Sequence, residues 1–259
     1  MSPAPTGGSR RALRTQVVAH RGHSAAAPEN SLEALRLAVA AGADLVECDV
    51  RLASDGIPVV SHDADLQRLA GRSIRIADTP AAVLEAVAND AGASVLPLTR
   101  LMAAALGRLP LMLDVKSTDP LVLETIAQAA REARFREEDI VLGLRVPDLV
   151  EPARAFLPDA VVLALHGASA PAGAFLAAGV RLVRLWEAAT DRDAVRELTD
   201  QGTVVWVTTG GPGTGRAVGD VTEEALSALL RTGIAGVLVN DPGVAHAVRA
   251  RDVAAPRVA

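Results

Sequence analysis

With 259 residues, half of them hydrophobic, and a net charge of -5, the chain is long for one ordinary domain and short for two, and close in size to an eightfold β/α barrel. Arginines are scattered evenly among the carboxylates, which argues against a nucleic-acid partner and favours a small or membrane-derived substrate. Cys48 has no partner for an internal disulfide, no run approaches the length of a membrane span, and the basic N-terminus lacks the apolar run of a signal peptide, so a cytoplasmic protein is expected.

From Val17 onward, short β-branched runs alternate with Ala/Leu/Arg/Glu helical runs, the signature of a parallel sheet with helical crossovers. Strands are expected at 17–20, 44–50, 111–115, 140–144, 161–165, 181–185, 203–207 and 235–239. Eight parallel strands in a chain of this length close most economically into a TIM (β/α)8 barrel, with the active site at their C-terminal ends. The barrel domain is expected over 16–250, flanked by loose ends at 1–15 and 251–259. Asn30 reads as an N-cap with Glu33 completing a capping box, and Gly42, Gly179, Gly202 and Gly233 read as left-handed helix ends.

One run breaks the alternation. Between Asp49 and His62 there is no room for a crossover helix, and Ser54-Asp55-Gly56 carries a strong reverse-turn signal. The segment IPVVSH is therefore expected to return antiparallel, as a β-hairpin extending the second strand. Folding about Asp55 and Gly56 sets residue 49 opposite residue 62 and brings His62 back to the site.

Glu47 and Asp49 are two apart on one strand, so both point to one face. A hard divalent ion, Mg²⁺ or Ca²⁺, would relieve their repulsion; a salt bridge to an arginine is the plain alternative. Asp114 and Lys116 repeat the spacing at the end of the third strand. Lys116 is the one lysine in a chain otherwise using arginine, as if a compact ammonium were wanted, and Asp114 is a reasonable third metal ligand. His20 and Arg21 end the first strand, where an imidazole can move protons and a guanidinium can hold phosphate. With His62 returned by the hairpin, His20 looks like half of an acid/base couple. His23 and His166 are weaker candidates. Trp186 and Trp206 are expected as substrate-pocket walls for a choline-like or glycerol group, with core packing as the plain alternative for Trp206. The run GGPGTG at 210–215 lacks the ending of a phosphate loop and reads as a flexible βα loop.

HRG, PEN, GADLVECDV, SDG and VVSHD, followed by LMLDVK, VVWVTT and GVLVNDPG, closely resemble the signature of glycerophosphodiester phosphodiesterases within the phospholipase-C-like phosphodiesterase barrels. The resemblance runs over about residues 17–245. It implies that Glu47 and Asp49 bind a divalent metal, that His20 and His62 are the acid/base pair, and that Arg21 and Lys116 hold the phosphate. It also implies a small phosphodiester substrate and sn-glycerol 3-phosphate as a product. Three departures stand out: Asp114 for the family's usual Glu, Asn240 for its Thr, and Thr208-Thr209 for its Val-Asn. A lyase of the same group releasing a cyclic phosphate, and a barrel that binds a phosphorylated ligand without turnover, are the alternatives.

Overall fold

A computed structural model describes residues 14–166 and 172–254. Eight parallel strands form the barrel: β1 (Gln16–Ala19), β2 (Leu45–Leu52), β5 (Leu111–Val115), β6 (Ile140–Leu144), β7 (Val161–Ala164), β8 (Leu182–Trp186), β9 (Val204–Thr208) and β10 (Gly236–Val239). Each lies within two residues of its expected position. β1 pairs with both β10 and β2, which closes the ring. Most of these strands are buried along nearly their whole length, as continuous apolar runs require when a strand is covered on both faces. Of the expected loose ends, 1–15 and 251–259, residues 1–13 and 255–259 lie outside the described residues, whereas the last helix continues past 250 to Ala254.

Alternate residues divide the core in two. Val18, Leu45, Met112, Val141, Leu163, Leu165, Leu182, Trp206 and Leu238 fill the lumen. The intervening positions, with Cys48 among them, pack against the surrounding helices. The four glycines expected at helix ends all adopt positive φ, from 75° at Gly202 to 95° at Gly233.

A lobe is inserted between β2 and β5. β3 (Pro58–Val60) returns antiparallel to β2, and β4 (Leu96–Pro97), which the sequence did not reveal, pairs with β3. Ala53, Val59, Leu66, Ile76, Ala81, Leu84, Ala88 and Val95 form a separate apolar cluster beneath it. The hairpin therefore stands on a packed base.

Its register corrects the expected one. Val50 faces Val60 and Leu52 faces Pro58, so Ser61, not His62, lies opposite Asp49, with Ser61 N donating to the Asp49 carbonyl at 3.0 Å. The cause is the turn. Ala53 N donates to the Ile57 carbonyl, enclosing three residues, and Gly56 takes the left-handed conformation at φ 76° that ends such a loop.

The N-cap is corrected too. Ser31, not Asn30, caps the first helix, Leu32–Ala40, its side chain accepting from Ala34 N. Glu33 is then too early for a capping box and pairs with Arg36 instead. Asn30 is buried in left-handed backbone at φ 57°, which frees its side chain for another task.

Candidate active site

At the C-terminal end of β1 the chain turns sharply. Arg21 and Gly22 both have positive φ, at 55° and 78°, and a side chain on Gly22 would collide with the Ala34 backbone at 2.7 Å. The bend aims Arg21 N at Glu47 Oε2, 2.8 Å away, and brings the Arg21 guanidinium to Glu29 at 3.0 Å and to Asp49 at 3.3 Å. A strained non-glycine residue at a strand end is a common mark of a functional site.

His20 is buried and its Nδ1 lies 2.7 Å from Asn240 Oδ1. The Asn240 amide is oriented by its nitrogen, which donates to the Val218 carbonyl and to Asp220 Oδ1. An amide oxygen only accepts, so Nδ1 carries the His20 proton and Nε2 is left bare, 4.0 Å from Glu47 Oε2. Burial and the neighbouring Arg21 charge hold the imidazole below its ordinary pKa, which keeps that nitrogen available as a base. Asn240, which stands where the resembling family has Thr, is thus a positioning residue for His20. Gly219 backs the contact, since a Cβ there would overlap Asn240.

β2 and β5 bring the carboxylates together. Oxygens of Glu47, Asp49 and Asp114, all buried, lie within 4.8 Å of one another. Burial, with Asp49 and Asp114 close by, pushes the Glu47 carboxyl well above its ordinary range. Burial acts on Asp49 in the same direction, but Lys116 and Arg21 outweigh it and hold that carboxyl below the usual range. Asn30, the last residue of PEN, donates to Asp49 Oδ2 at 3.0 Å. Three hard oxygen donors this close together fit a divalent cation. These three residues could hold one.

Lys116 Nζ bridges Asp49 at 2.7 Å and Asp114 at 2.5 Å. Asp114 is also gripped through two hydrogen bonds by Arg145, with Nε at 3.0 Å and Nη2 at 2.6 Å. Arg145 follows β6 immediately and no local sequence signal marked it. The expected role of Asp114 as third ligand therefore meets competition from the Arg145 guanidinium.

His62 reaches the mouth from the hairpin. Arg51 clamps its carbonyl with two hydrogen bonds, at 3.0 and 2.8 Å, and Asp63 Oδ1 lies 2.8 Å from its Nδ1. Arg68 ties Asp63 to Glu29, so PEN, the hairpin and Arg21 share one network. Glu29, like Asn30, is a site residue that the helix-start reading of PEN concealed.

The opposite rim is formed by β7, β8 and β9. Arg184, in the middle of β8, is 5% exposed and lies 4.0 Å from the centre of the Trp186 ring. The Trp186 edge packs against Gly211, and Glu187 anchors the loop behind it by accepting from Gly210 N at 2.7 Å and pairing with Arg216. GGPGTG is therefore a tethered wall. Trp206 is 3% exposed within the lumen cluster, where its indole lies over Gly236, so it is a core residue; two positions along, Thr208 is the side chain nearer the mouth. His23 pairs with Asp241 at 3.6 Å, and His166 follows β7, its Nε2 buried without a partner among the described residues.

Residues 20–137 match the profile of the glycerophosphoryl diester phosphodiesterase family. The match covers 118 of the 259 residues and includes His20, Glu47, Asp49, His62, Asp114 and Lys116. Glycerophosphodiester phosphodiesterase 1 of Rattus norvegicus is 46% identical over 77 residues, 27% of this chain and 23% of the relative. A probable glycerophosphodiester phosphodiesterase 1 of Mycobacterium tuberculosis is 62% identical over 52 residues, 20% of this chain and 19% of the relative. The matched segments thus span less than a quarter of these relatives' own length. The fold similarity is far broader. A putative glycerophosphoryl diester phosphodiesterase from Silicibacter pomeroyi superposes with a TM-score of 0.77 at 22% identity, covering 93% of this chain and 96% of that one. An Oleispira antarctica phosphodiesterase, solved with its product sn-glycerol-3-phosphate, gives 0.75 at 22% identity, covering 90% and 96%. Among the described residues no helix is long and apolar enough to cross a membrane.

Proposed function

We propose that this barrel hydrolyses a glycerophosphodiester to sn-glycerol 3-phosphate and an alcohol, with His20 and His62 as the acid/base pair. The observation that carries the reading is the convergence, at the ends of β1, β2 and β5, of His20 with its Nδ1 against Asn240, the cations Arg21 and Lys116, and three carboxylates whose oxygens lie within 4.8 Å of one another. The family match over residues 20–137 and the product bound in the similar Oleispira structure support the choice of substrate.

Glu47, Asp49 and Asp114 would hold one divalent ion, Mg²⁺ or Ca²⁺. When bound, such an ion neutralises charge developing on the phosphoryl oxygens. Arg21 and Lys116 sit on the same carboxylates and orient a phosphodiester beside them. The bare Nε2 of His20 takes the proton of the attacking hydroxyl, either a water or a substrate hydroxyl next to the ester. His62, its Nδ1 held by Asp63, returns a proton to the leaving alcohol from its other nitrogen.

The test is release of glycerol 3-phosphate from glycerophosphodiesters, with and without metal, by the parent, His20→Ala and His62→Ala. Each substitution should lower kcat by about 10² to 10⁴, the worth of a positioned general acid or base. Near-normal turnover by both variants would refute the assignment. Accumulation of a cyclic phosphate in phosphorus NMR would make the enzyme a lyase, and absence of turnover under every metal condition would make it a binding protein.

A further inference from the structure

Arg184 carries a charge that the reaction above does not use. It lies on a strand whose lumen-facing neighbours are Leu182 below and Trp186 above, and it is 5% exposed, yet its Nε and Nη1 have no hydrogen-bond partner among the described residues. An unpaired buried guanidinium is costly. Two more cationic or potentially cationic groups border it. Extending the register across β6, β7 and β8 sets Arg145, Leu165 and Arg184 at one level, because Leu144 faces Ala164 and Ala164 faces Val183. Leu165 leans over Gly143, where no side chain stands, and so lies low in the lumen between the two arginines. His166 follows, with its buried Nε2 also unpartnered among the described residues. Burial and the Arg145 charge pull the Arg184 pKa down to about 10, which still leaves it cationic at neutral pH.

The charges on this side of the mouth exceed what a phosphodiester and one metal ion need. Arg21, Lys116 and Arg145 are already paired with Glu29, Asp49 and Asp114. Glu47, a divalent ion and a singly charged diester then offset one another, which leaves Arg184 as the uncompensated charge. The face of Trp186 expected to receive a choline-like group is occupied by the Arg184 guanidinium. A cation there would meet both the ring's existing partner and like charge.

We infer that the leaving alcohol of the substrate carries a second anionic group, a carboxylate or a phosphomonoester, bound by Arg184 and Arg145 beneath Trp186. The inference rests on the phosphodiesterase reading and names the substrate class within it. A planar guanidinium with two free N–H directions suits an oxyanion better than a hydroxyl.

The experiment compares kcat/KM for four glycerophosphodiesters whose alcohols are glycerate, glycerol 3-phosphate, glycerol and choline, using the parent, Arg184→Met and Arg145→Met. Hydrogen bonds to a charged group imply a preference of about 10- to 100-fold for the anionic alcohols over glycerol, and Arg184→Met should remove most of it. The glycerate and glycerol 3-phosphate arms distinguish carboxylate from phosphate. Thermal stabilisation of the metal-free His20→Ala protein by inorganic phosphate, weakened by adding Arg184→Met, gives a readout independent of turnover. Equal or better turnover of the choline diester by the parent, or a selectivity ratio unmoved in Arg184→Met, would overturn the inference while leaving the phosphodiesterase intact. Failure of all four diesters would instead overturn the parent reading. Arg184→Met removes an unpaired buried charge and keeps the bulk over Trp186, so it is expected to fold; loss of phosphate stabilisation in Arg145→Met alone would move the second anion off Arg184 and refute the site as drawn.

Discussion

The two sides of the barrel mouth use the same residue types in opposite ways. On the β1, β2 and β5 side the cations sit against carboxylates and His20 against an amide: Arg21 with Glu29 and Asp49, although its Nε makes no hydrogen bond, Lys116 with Asp49 and Asp114, His20 with Asn240. On the β7 and β8 side Arg184 and His166 are buried with polar atoms unmatched among the described residues. Satisfied networks hold catalytic groups still before substrate arrives, whereas unsatisfied ones hold affinity in reserve for a ligand.

Replacing one arginine on each side is the sharpest way to break this contrast. Arg21→Met takes one cation from Asp49 and Glu29, which keep Lys116 and Arg68, and should cost about 1.5–3 kcal/mol of stability, the scale of hydrogen bonds to charged groups. Arg184→Met strands no carboxylate and should leave stability unchanged or higher, despite removing the same charge. Urea denaturation of both variants checks this, and equal destabilisation would erase the distinction.

A smaller effect is expected from Asn240, which belongs to the satisfied side without touching substrate. Asn240→Leu should lower kcat about tenfold with little change in KM, because the His20 tautomer is no longer fixed, the usual scale for losing such an outer-shell partner. Asn240→Thr, which retains an accepting oxygen, should restore part of the loss. A parallel change in KM would point to a substrate contact instead.

The smallest effect is on the acid side of the stability profile. Burial opposes it, yet Arg68 and Arg21 hold Glu29 below its ordinary 4.5, and Asp63 lies below its ordinary 3.8 through His62 and Arg68 against a similar burial cost. Near neutral pH these carboxylates are ionised in both folded and unfolded chains, so their full contribution is present. As pH falls below 4.5 the unfolded chain takes up protons first, and the contribution is lost as pH passes through the lower folded values. Both groups are partly exposed, so Glu29→Gln should remove no more than about 1 kcal/mol at pH 7 and flatten the decline toward pH 4. Thermal unfolding between pH 7 and pH 4 measures it.

Much of the satisfied side was legible in the sequence. Glu47 and Asp49, Asp114 and Lys116, and His20 and Arg21 sit at strand ends in short local patterns, and their two-residue spacing sets which face they share. Asn30 was misread because an Asn before an apolar periodic run looks like a helix cap; only its positive φ, with Ser31 taking the cap, turns it toward Asp49. His62 was placed on the right element but one residue out of register, because the turn encloses three residues. Arg145 and Arg184 escaped notice as two arginines among many. The run RLVRLW did carry a signal, a charge at a lumen-facing position in an otherwise apolar strand.

By itself the sequence determined the eight strands, their barrel closure and the pairs of polar residues at their ends. Periodicity and apolar runs are local properties, and strand burial depends on little else. The tertiary structure decided who partners whom: that Arg145 shares Asp114 with Lys116, that Asn240 orients His20, and that Arg184 lies beneath Trp186 with its Nε and Nη1 unpartnered among the described residues. Those relations join residues on different strands of a closed ring, where the register between neighbours, set by turns and packing, determines which charges meet.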